Sequence, residues 1–113
     1  MEFSRLDKLL EFIKNEPHDE FLKYALATEY LRLNQTDKAL YYYEDLVTNH
    51  PGYVGTYYHL GKLYEALNRT GEAIMTYQNG MTIAKQKRDN HAYSELQAVY
   101  KQAMGVEEDD DDY

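Results

Sequence analysis

The sequence predicts an all-α protein made of antiparallel helix pairs that stack side by side. Three observations support this fold class: an internal repeat without gaps, apolar side chains at helical spacing, and only 2 prolines and 6 glycines in 113 residues. This length is enough for one domain with a hydrophobic core. The chain has no cysteine, which excludes a disulfide scaffold, a thiolate metal site and a cysteine nucleophile.

The repeat is visible when the chain is compared with itself so that Tyr24 aligns with Tyr58. Eight positions are then identical without a gap, from this pair to Tyr43 with Tyr77. Within one unit the apolar residues recur at helical spacing, so each unit is predicted to contain two helices.

Residues 3–15 repeat only the second half of the unit. At the same shift, Leu6 aligns with Leu40 and Leu9 aligns with Tyr43. Together with the apolar periodicity, the repeat predicts six helices. Their expected bounds are 3–15, 19–33, 36–49, 53–67, 70–88 and 90–104.

The last of these helices keeps an apolar stripe but not the register of the repeat. At the shift that aligns the two units, Ser94 and Glu95 fall on Leu60 and Gly61, and both are polar. A helix at the end of a stack has one face without a neighbour, so polar residues are expected there. We therefore expect residues 90–104 to cap the stack.

The break inside each unit has the residues that a tight turn between helices requires. Asn34 and Asn68 favour the left-handed conformation that ends a helix. Thr36 and Thr70 are predicted to cap the helices that follow. Pro51 is predicted to stop the second helix of its unit, because proline cannot continue the hydrogen-bond ladder.

These columns resemble the tetratricopeptide repeat, a helix–turn–helix unit of about 34 residues, and the chain is similar to small bacterial proteins of that family. Three positions depart from the pattern: Lys23 stands where a large residue is usual, Leu46 stands where a small one is, and the second repeat lacks the final proline. The signature residues, to which the resemblance gives a structural role, are Leu26, Ala27, Tyr30, Ala39, Tyr43, Pro51, Tyr57, Leu60, Gly61, Tyr64, Ala73, Tyr77 and Gly80.

The resemblance implies a right-handed α-solenoid that forms one domain over residues 1–105. Its parts are an N-terminal half-repeat at 3–15, two full repeats at 18–51 and 52–88, and a C-terminal capping helix at 90–104. The remaining residues, 106–113, are strongly acidic and are predicted to be disordered. The net charge of −8 belongs mainly to this tail, since the rest of the chain has 14 acids against 12 bases.

Proteins of this family generally bind peptides or partner proteins on the concave surface that their first helices form, without catalysis. The residues that map onto this surface are Tyr24, Thr28, Leu31, Arg32, Tyr58, His59, Lys62 and Glu65. The last helix is expected to add a third wall through Tyr93, Leu96 and Tyr100. Arg32 and Lys62 among the aromatic rings favour an extended peptide that is part apolar and part acidic. An alternative for Tyr24 and Tyr58 is simple packing between adjacent helices.

A second function class is structural self-assembly, in which the chain forms a homodimer or a larger homo-oligomer. Tyr41 and Tyr42 project away from the buried column on their helix, and at least one of them is expected to be exposed. Tyr53 or Tyr57 would continue such a patch.

The sequence offers no constellation for an enzyme, a metal or a cofactor. The four histidines are isolated in the sequence, and no glycine-rich loop resembles a phosphate cradle. No Lys/Arg cluster suggests nucleic acid as a partner. No apolar stretch approaches the length of a membrane span, and no secretion signal is recognisable, so a cytoplasmic protein that binds an unidentified protein or peptide is expected.

Overall fold

The computed structural model describes residues 4–105, and all regular secondary structure in that range is α-helical. The six helices are α1 (Arg5–Asn15), α2 (Glu20–Arg32), α3 (Thr36–Asn49), α4 (Gly55–Ala66), α5 (Thr70–Gln86) and α6 (Asn90–Ala103). The all-α class is thereby confirmed, and every helix begins and ends within two residues of its predicted bounds. Residue 3 and the predicted acidic tail, 106–113, lie outside the described residues.

The structure divides into two compact units, and the first of them, Met1–Tyr53, contains α1, α2 and α3. In this unit α2 packs against both α1 and α3. Ala27 on α2 and Ala39 on α3 have no exposed surface, because their small side chains allow the two helix backbones to approach closely. The core of this unit consists of Leu9, Ala25, Leu26, Ala27, Tyr30, Ala39, Tyr43 and Leu46.

The second unit, Val54–Tyr113, contains α4, α5 and α6, and each of these helices contacts the other two. Glycine is needed at two places where α5 meets its neighbours. A Cβ atom on Gly61 would lie 2.1 Å from Cε1 of Tyr77, and a Cβ atom on Gly80 would lie 2.5 Å from Cβ of Tyr57. The aromatic rings therefore occupy the space that the missing side chains leave.

Three of the connections between helices contain the same tight turn. Asn34, Asn68 and Arg88 have φ angles of 61°, 60° and 59°, in the left-handed region. In each turn, the N–H group of the next residue donates to the carbonyl oxygen five residues before it, at 2.8–2.9 Å. This bond closes the end of the preceding helix. The expectation for Asn34 and Asn68 is confirmed, while the turn at Arg88 has no signal in the residue type.

The prediction that Thr36 and Thr70 act as helix caps is wrong. Both residues are already the first residues of their helices, and the cap positions are held by Gln35 and Arg69, neither of which caps through its side chain. The reason is the length of the turn, because only one residue separates the left-handed residue from the helix that follows.

Helix α6 repeats α4 at a spacing slightly longer than that between the two repeats. In order, Tyr93, Leu96 and Tyr100 take the places of Tyr57, Leu60 and Tyr64. Leu96 is buried as deeply as Leu60, at 1% exposure. The fixed repeat spacing misses this because α5, with 17 residues, is longer than α3, with 14. Helix α6 thus has the sequence of the first helix of a repeat, like α2 and α4.

Candidate functional site

In the first unit, four of the predicted surface residues lie along one side of α2. The spacing of these residues keeps them on neighbouring turns of one face: Tyr24, Thr28, Leu31 and Arg32. Tyr24 and Leu31 are half-buried, while Thr28 and Arg32 are exposed. The Thr28 hydroxyl lies 3.2 Å from the hydroxyl of buried Tyr43, so it also anchors α3.

The Tyr24 ring shows that the two interpretations of this residue are compatible. Its centroid lies 6.2 Å from that of Tyr43, in an edge-on contact, and 5.4 Å from that of Tyr53. Burial raises the pKa of Tyr24, and the neighbouring Tyr43 and Tyr53 raise it further, so the hydroxyl stays neutral at physiological pH. The ring packs against its neighbours and still keeps part of its surface accessible.

The positive charge of Arg32 is shared with an acidic neighbour. Its Nε donates to Glu29 Oε1 at 3.0 Å, and its Nη2 donates to Oε2 of the same carboxylate. Arg5 on α1 also approaches Glu29, with 3.6 Å between Nε and Oε1. The hydrogen bond from Arg32 holds the pKa of the Glu29 carboxyl below its usual range. Two cations thus surround one carboxylate, which leaves one excess positive charge.

In the second unit, the predicted surface residues on α4 form a charge-balanced set. Lys62 Nζ lies 3.9 Å from Glu65 Oε2, in an exposed pair of the kind that contributes little to stability. Glu65 also accepts a hydrogen bond from the hydroxyl of Tyr77. Burial raises the pKa of Tyr77, and the bond to Glu65 raises it further. The face of α4 therefore has no excess positive charge from Lys62.

His59 is half-buried beside Tyr58, with 5.5 Å between the ring centroids. Burial lowers the pKa of His59, and the carboxylate of Glu95 on α6 acts in the opposite direction. The net effect favours the neutral imidazole at physiological pH. His59 can therefore offer one donor and one acceptor to a ligand, but no fixed charge.

We predict that the pKa of His59, followed by the NMR shifts of the ring protons, lies below the ordinary value of 6.5. Replacement of Glu95 by Gln is expected to lower the pKa further, because it removes the carboxylate that stabilises the imidazolium. A pKa for His59 above that of a free histidine would contradict this assignment.

Two residues that the sequence assigned to surfaces are buried. Leu96, expected in a third wall, is 1% exposed and packs against Gly80 on α5. Tyr57, expected to extend a patch with Tyr41 or Tyr42, is 4% exposed and also faces Gly80. The expectation for Leu96 is therefore wrong, and of the two alternatives for extending the patch only the half-buried Tyr53 remains. Both Leu96 and Tyr57 lie on the sides of their helices that contact α5.

Tyr41 and Tyr42 differ in their exposure. Tyr41 is 65% exposed, which confirms that at least one of the two lies on the surface. Tyr42 is half-buried and stacks on Tyr30, with 5.9 Å between the centroids and 12° between the planes. The exposed ring of Tyr41 contacts Tyr42 edge-on at 5.1 Å.

A surface cleft of 520 Å³ in the first unit has no counterpart in the sequence analysis. The residues that line it come from α1, the following turn, α2 and α3 with its end: Ile13, Pro17, His18, Lys23, Tyr41, Tyr42, Asp45, Asn49 and His50. The position of Lys23 explains its departure from the family pattern, because its side chain is 8% exposed and has a carboxylate partner.

A chain of polar contacts lies at the bottom of this cleft. Lys23 Nζ is 2.7 Å from Asp45 Oδ2 and 3.4 Å from Nε2 of His50. The other nitrogen of His50 is 3.4 Å from a carboxylate oxygen of Glu20. Burial acts to raise the pKa of Asp45, but the hydrogen bonds from Lys23 and Asn49 outweigh it and lower the pKa overall. The charged and polar groups of this network therefore have partners, so none of them is left buried without one.

Residues 54–87 and residues 22–53 each match a family model described as tetratricopeptide repeat. The chain is also 48% identical to a tetratricopeptide repeat domain protein from Salinibacter ruber whose solution structure is known. That match covers 81% of this chain and 93% of the other, with a TM-score of 0.76. The chain belongs to the tetratricopeptide repeat family. A crystal structure of the Salinibacter ruber domain gives the same identity over 79% of this chain and all of the other, with a TM-score of 0.75.

A more distant tetratricopeptide domain shares the fold. The TPR2B domain of yeast Sti1, solved in a complex with pHsp70, has a TM-score of 0.80 and 18% identity. The match covers 88% of this chain and 80% of that one. No curated protein matches the chain significantly.

The tetratricopeptide signature residues form a large part of the cores of both units. All of them are buried except Pro51, which lies in the turn after α3. Tetratricopeptide repeats are generally modules of protein–protein interaction without enzymatic activity. In residues 4–105, no three histidine, aspartate or glutamate side chains form a group that could hold a metal ion. None of the helices in the described part of the chain is long and apolar enough to cross a membrane.

Proposed function

We propose that the chain is a non-catalytic binding module that takes an extended peptide or protein segment on the surface predicted from the sequence, which its first helices form. One observation carries this proposal. Tyr24 and Tyr58 occupy the same repeat position on α2 and α4, and both keep accessible ring surface. Leu26 and Leu60, two residues further along each helix, are fully buried. Partly accessible tyrosines at a repeated position are typical of surfaces that bind proteins.

The charges of the two faces define the chemistry of the ligand. Lys62 is balanced by Glu65, so the face of α4 favours an apolar or neutral hydrogen-bonding segment. On the first unit, Arg5 and Arg32 share the single carboxylate of Glu29, so an acidic group on the ligand is attracted there. Taken separately, the face of α4 fits an apolar or neutral segment, and the face of α2 fits a segment that carries an acidic group.

The family supports this proposal, since a domain of the same fold, TPR2B of yeast Sti1, has been solved in a complex with pHsp70. A role as an adaptor or scaffold is part of this proposal, and the cytoplasmic location remains a prediction from the sequence. This neighbour does not identify the partner of the present chain, because at 18% sequence identity the similarity shows only a shared fold.

The proposal predicts that substitutions on the first helices weaken peptide binding without loss of structure. A random peptide library displayed on phage is selected on the wild-type chain, and the enriched peptides are titrated by fluorescence anisotropy. The double change Tyr58→Ala with Lys62→Ala is expected to weaken binding at least about tenfold, or about 1.4 kcal/mol, because it removes a ring and a hydrogen-bond donor from the surface.

Tyr41→Ala is the matched control, because it removes an exposed tyrosine on α3 that lies outside this surface. Its affinity is expected to equal that of the wild type, and circular dichroism checks that both variants stay helical. Equal affinity of the double variant and the wild type, or an equal loss in Tyr41→Ala, would contradict the proposal.

A further inference from the structure

Helix α1 has the sequence of a second helix of a repeat, but no first helix of its own covers it within the described residues. In the register of the repeat, Phe12 aligns with Leu46 on α3 and with Gly80 on α5. Both of those residues are buried, whereas Phe12 is 58% exposed. An exposed phenylalanine in a column that is otherwise buried marks a face that lacks a partner.

Helix α6 is in the opposite position: it has the sequence of a first helix, and no second helix follows it within the described residues. Tyr57 and Tyr64 on α4 are buried against α5, at 4% and 7% exposure. Their counterparts on α6, Tyr93 and Tyr100, are only half-buried. Together with side chains of α5 they border an open cleft of 380 Å³, whose lining is Gln78, Met81, Thr82, Lys85, Tyr93 and Tyr100.

We propose that α1 of a second copy of the chain docks into this cleft beside α6. One copy would supply the first helix of a repeat and the other copy would supply the second, so the contact completes a tetratricopeptide unit across two molecules. Because the two faces are different, the association is head-to-tail. It uses neither Tyr41 nor the binding faces of α2 and α4, and it therefore goes beyond the proposed function.

The contacts inside the described repeats show which side chains would meet. Tyr57 on α4 contacts Gly80 on α5. In the repeat, Tyr93 on α6 has the position of Tyr57, and Phe12 of the second copy has the position of Gly80. These two aromatic rings would cover each other's exposed surface.

Two further pairs are chemically matched. Lys23 contacts Asp45 at 2.7 Å. The residues at the same repeat positions are Tyr93 and, in the second copy, Glu11. The hydroxyl of Tyr93 can donate a hydrogen bond to the carboxylate of Glu11. Tyr30 stacks on Tyr42. The residues at the same repeat positions are Tyr100 and, in the second copy, Lys8. The ammonium group of Lys8 can lie over the ring of Tyr100.

The charge on α5 supports the same occupant. Lys85 occupies the repeat position that Pro17 occupies after α1. In the first unit, Pro17 and Asp45 line the same cleft. The residue of α1 that corresponds to Asp45 is Glu11, whose side chain is 70% exposed. An incoming α1 would therefore bring Glu11 towards Lys85, a favourable pairing at the edge of the contact.

Sedimentation velocity over a range of concentrations tests this proposal. The weight-average mass of the wild type is expected to rise above the 13.4 kDa of the single chain as the concentration increases towards about 1 mM. Phe12→Glu alters the face of α1, and the double change Thr82→Glu with Lys85→Glu alters the cleft. Each variant alone is expected to stay at the mass of one chain.

Mixing the two variants is the decisive step. Phe12→Glu keeps an intact cleft and the double variant keeps an intact α1, so an equimolar mixture is expected to form one junction and reach up to twice the mass of one chain. Met75→Glu is the matched control, because Met75 is an exposed apolar residue of α5 outside the cleft, at 62% exposure, and it should associate like the wild type. Circular dichroism checks that all variants are folded.

A wild type that stays at the mass of one chain throughout would overturn the proposal. So would a mixture that does not associate although the wild type does, because a head-to-tail contact must be rescued in this way. Association that Tyr41→Glu removes and Phe12→Glu leaves intact would assign the contact to the exposed tyrosine on α3 instead.

Discussion

Gly61→Ala is expected to lower the free energy of unfolding by about 1–3 kcal/mol, although alanine is favoured over glycine in a helix by about 1 kcal/mol. The added methyl group would lie 2.1 Å from Cε1 of Tyr77. The Tyr77 ring has no exposed surface, and its hydroxyl donates to Glu65, so it has little room to move aside. Urea denaturation followed by circular dichroism measures the change.

Gly71→Ala provides a control with the opposite sign. Gly71 is exposed in the first turn of α5, and no atom outside the adjoining residues and the local helix backbone lies within 4 Å of the position that a Cβ would take. This substitution is expected to stabilise the chain by up to about 1 kcal/mol through the helix preference of alanine. If both variants unfolded at the same urea concentration, close packing of Tyr77 on Gly61 would not be a constraint on this fold.

Asp45→Ala is expected to destabilise the chain by about 3–5 kcal/mol, because it leaves the Lys23 ammonium group buried without its carboxylate. The side chains of Lys23 and Asp45 are only 8% and 21% exposed, and the two charged groups are 2.7 Å apart. Replacing both residues by apolar ones, Lys23→Met with Asp45→Leu, is expected to cost much less than the single change.

Glu11→Ala is the exposed control for this pair. Glu11 is 70% exposed and lies 3.8 Å from Lys14, so its removal is expected to change the stability of the single chain, measured in dilute solution, by less than about 1 kcal/mol. Equal losses in Asp45→Ala and Glu11→Ala would mean that water screens the buried pair as effectively as the exposed one.

The pH dependence of stability gives a second measurement on Asp45. Its pKa is lower in the folded chain than the ordinary value of 3.8, so its carboxylate stabilises the fold above that pH. This contribution is lost as the pH falls through the folded pKa. The difference in stability between the wild type and Asp45→Asn is therefore expected to be constant at neutral pH and to shrink below about pH 4. A constant difference down to acidic pH would show that the carboxylate has no such role.

Much of the fold follows from the sequence because the repeat is local and regular. Asn34 and Asn68 mark the turns, since their residue type favours the left-handed conformation that they adopt. Arg88 adopts the same conformation without a residue type that signals it. The register of α6 was hidden for another reason, because extra residues in the preceding segment move Leu96 out of the fixed spacing of the repeat.

The charges of the candidate surface were only partly predictable. The spacing of three residues between Glu29 and Arg32 indicates a pair on adjacent turns of one helix, and the sequence contains that signal. Contacts between helices are different in kind. The pairing of Lys23 with Asp45 depends on how α2 lies against α3, which no local spacing reveals.

The three short left-handed turns also bear on how quickly each unit can fold. Helices joined by such turns bring together residues that are close in the sequence, so little chain entropy is lost when the first tertiary contacts form. Helical proteins with such local contacts fold within microseconds to milliseconds. Each helical hairpin of this chain can thus form early and quickly, before the rest of its unit has ordered.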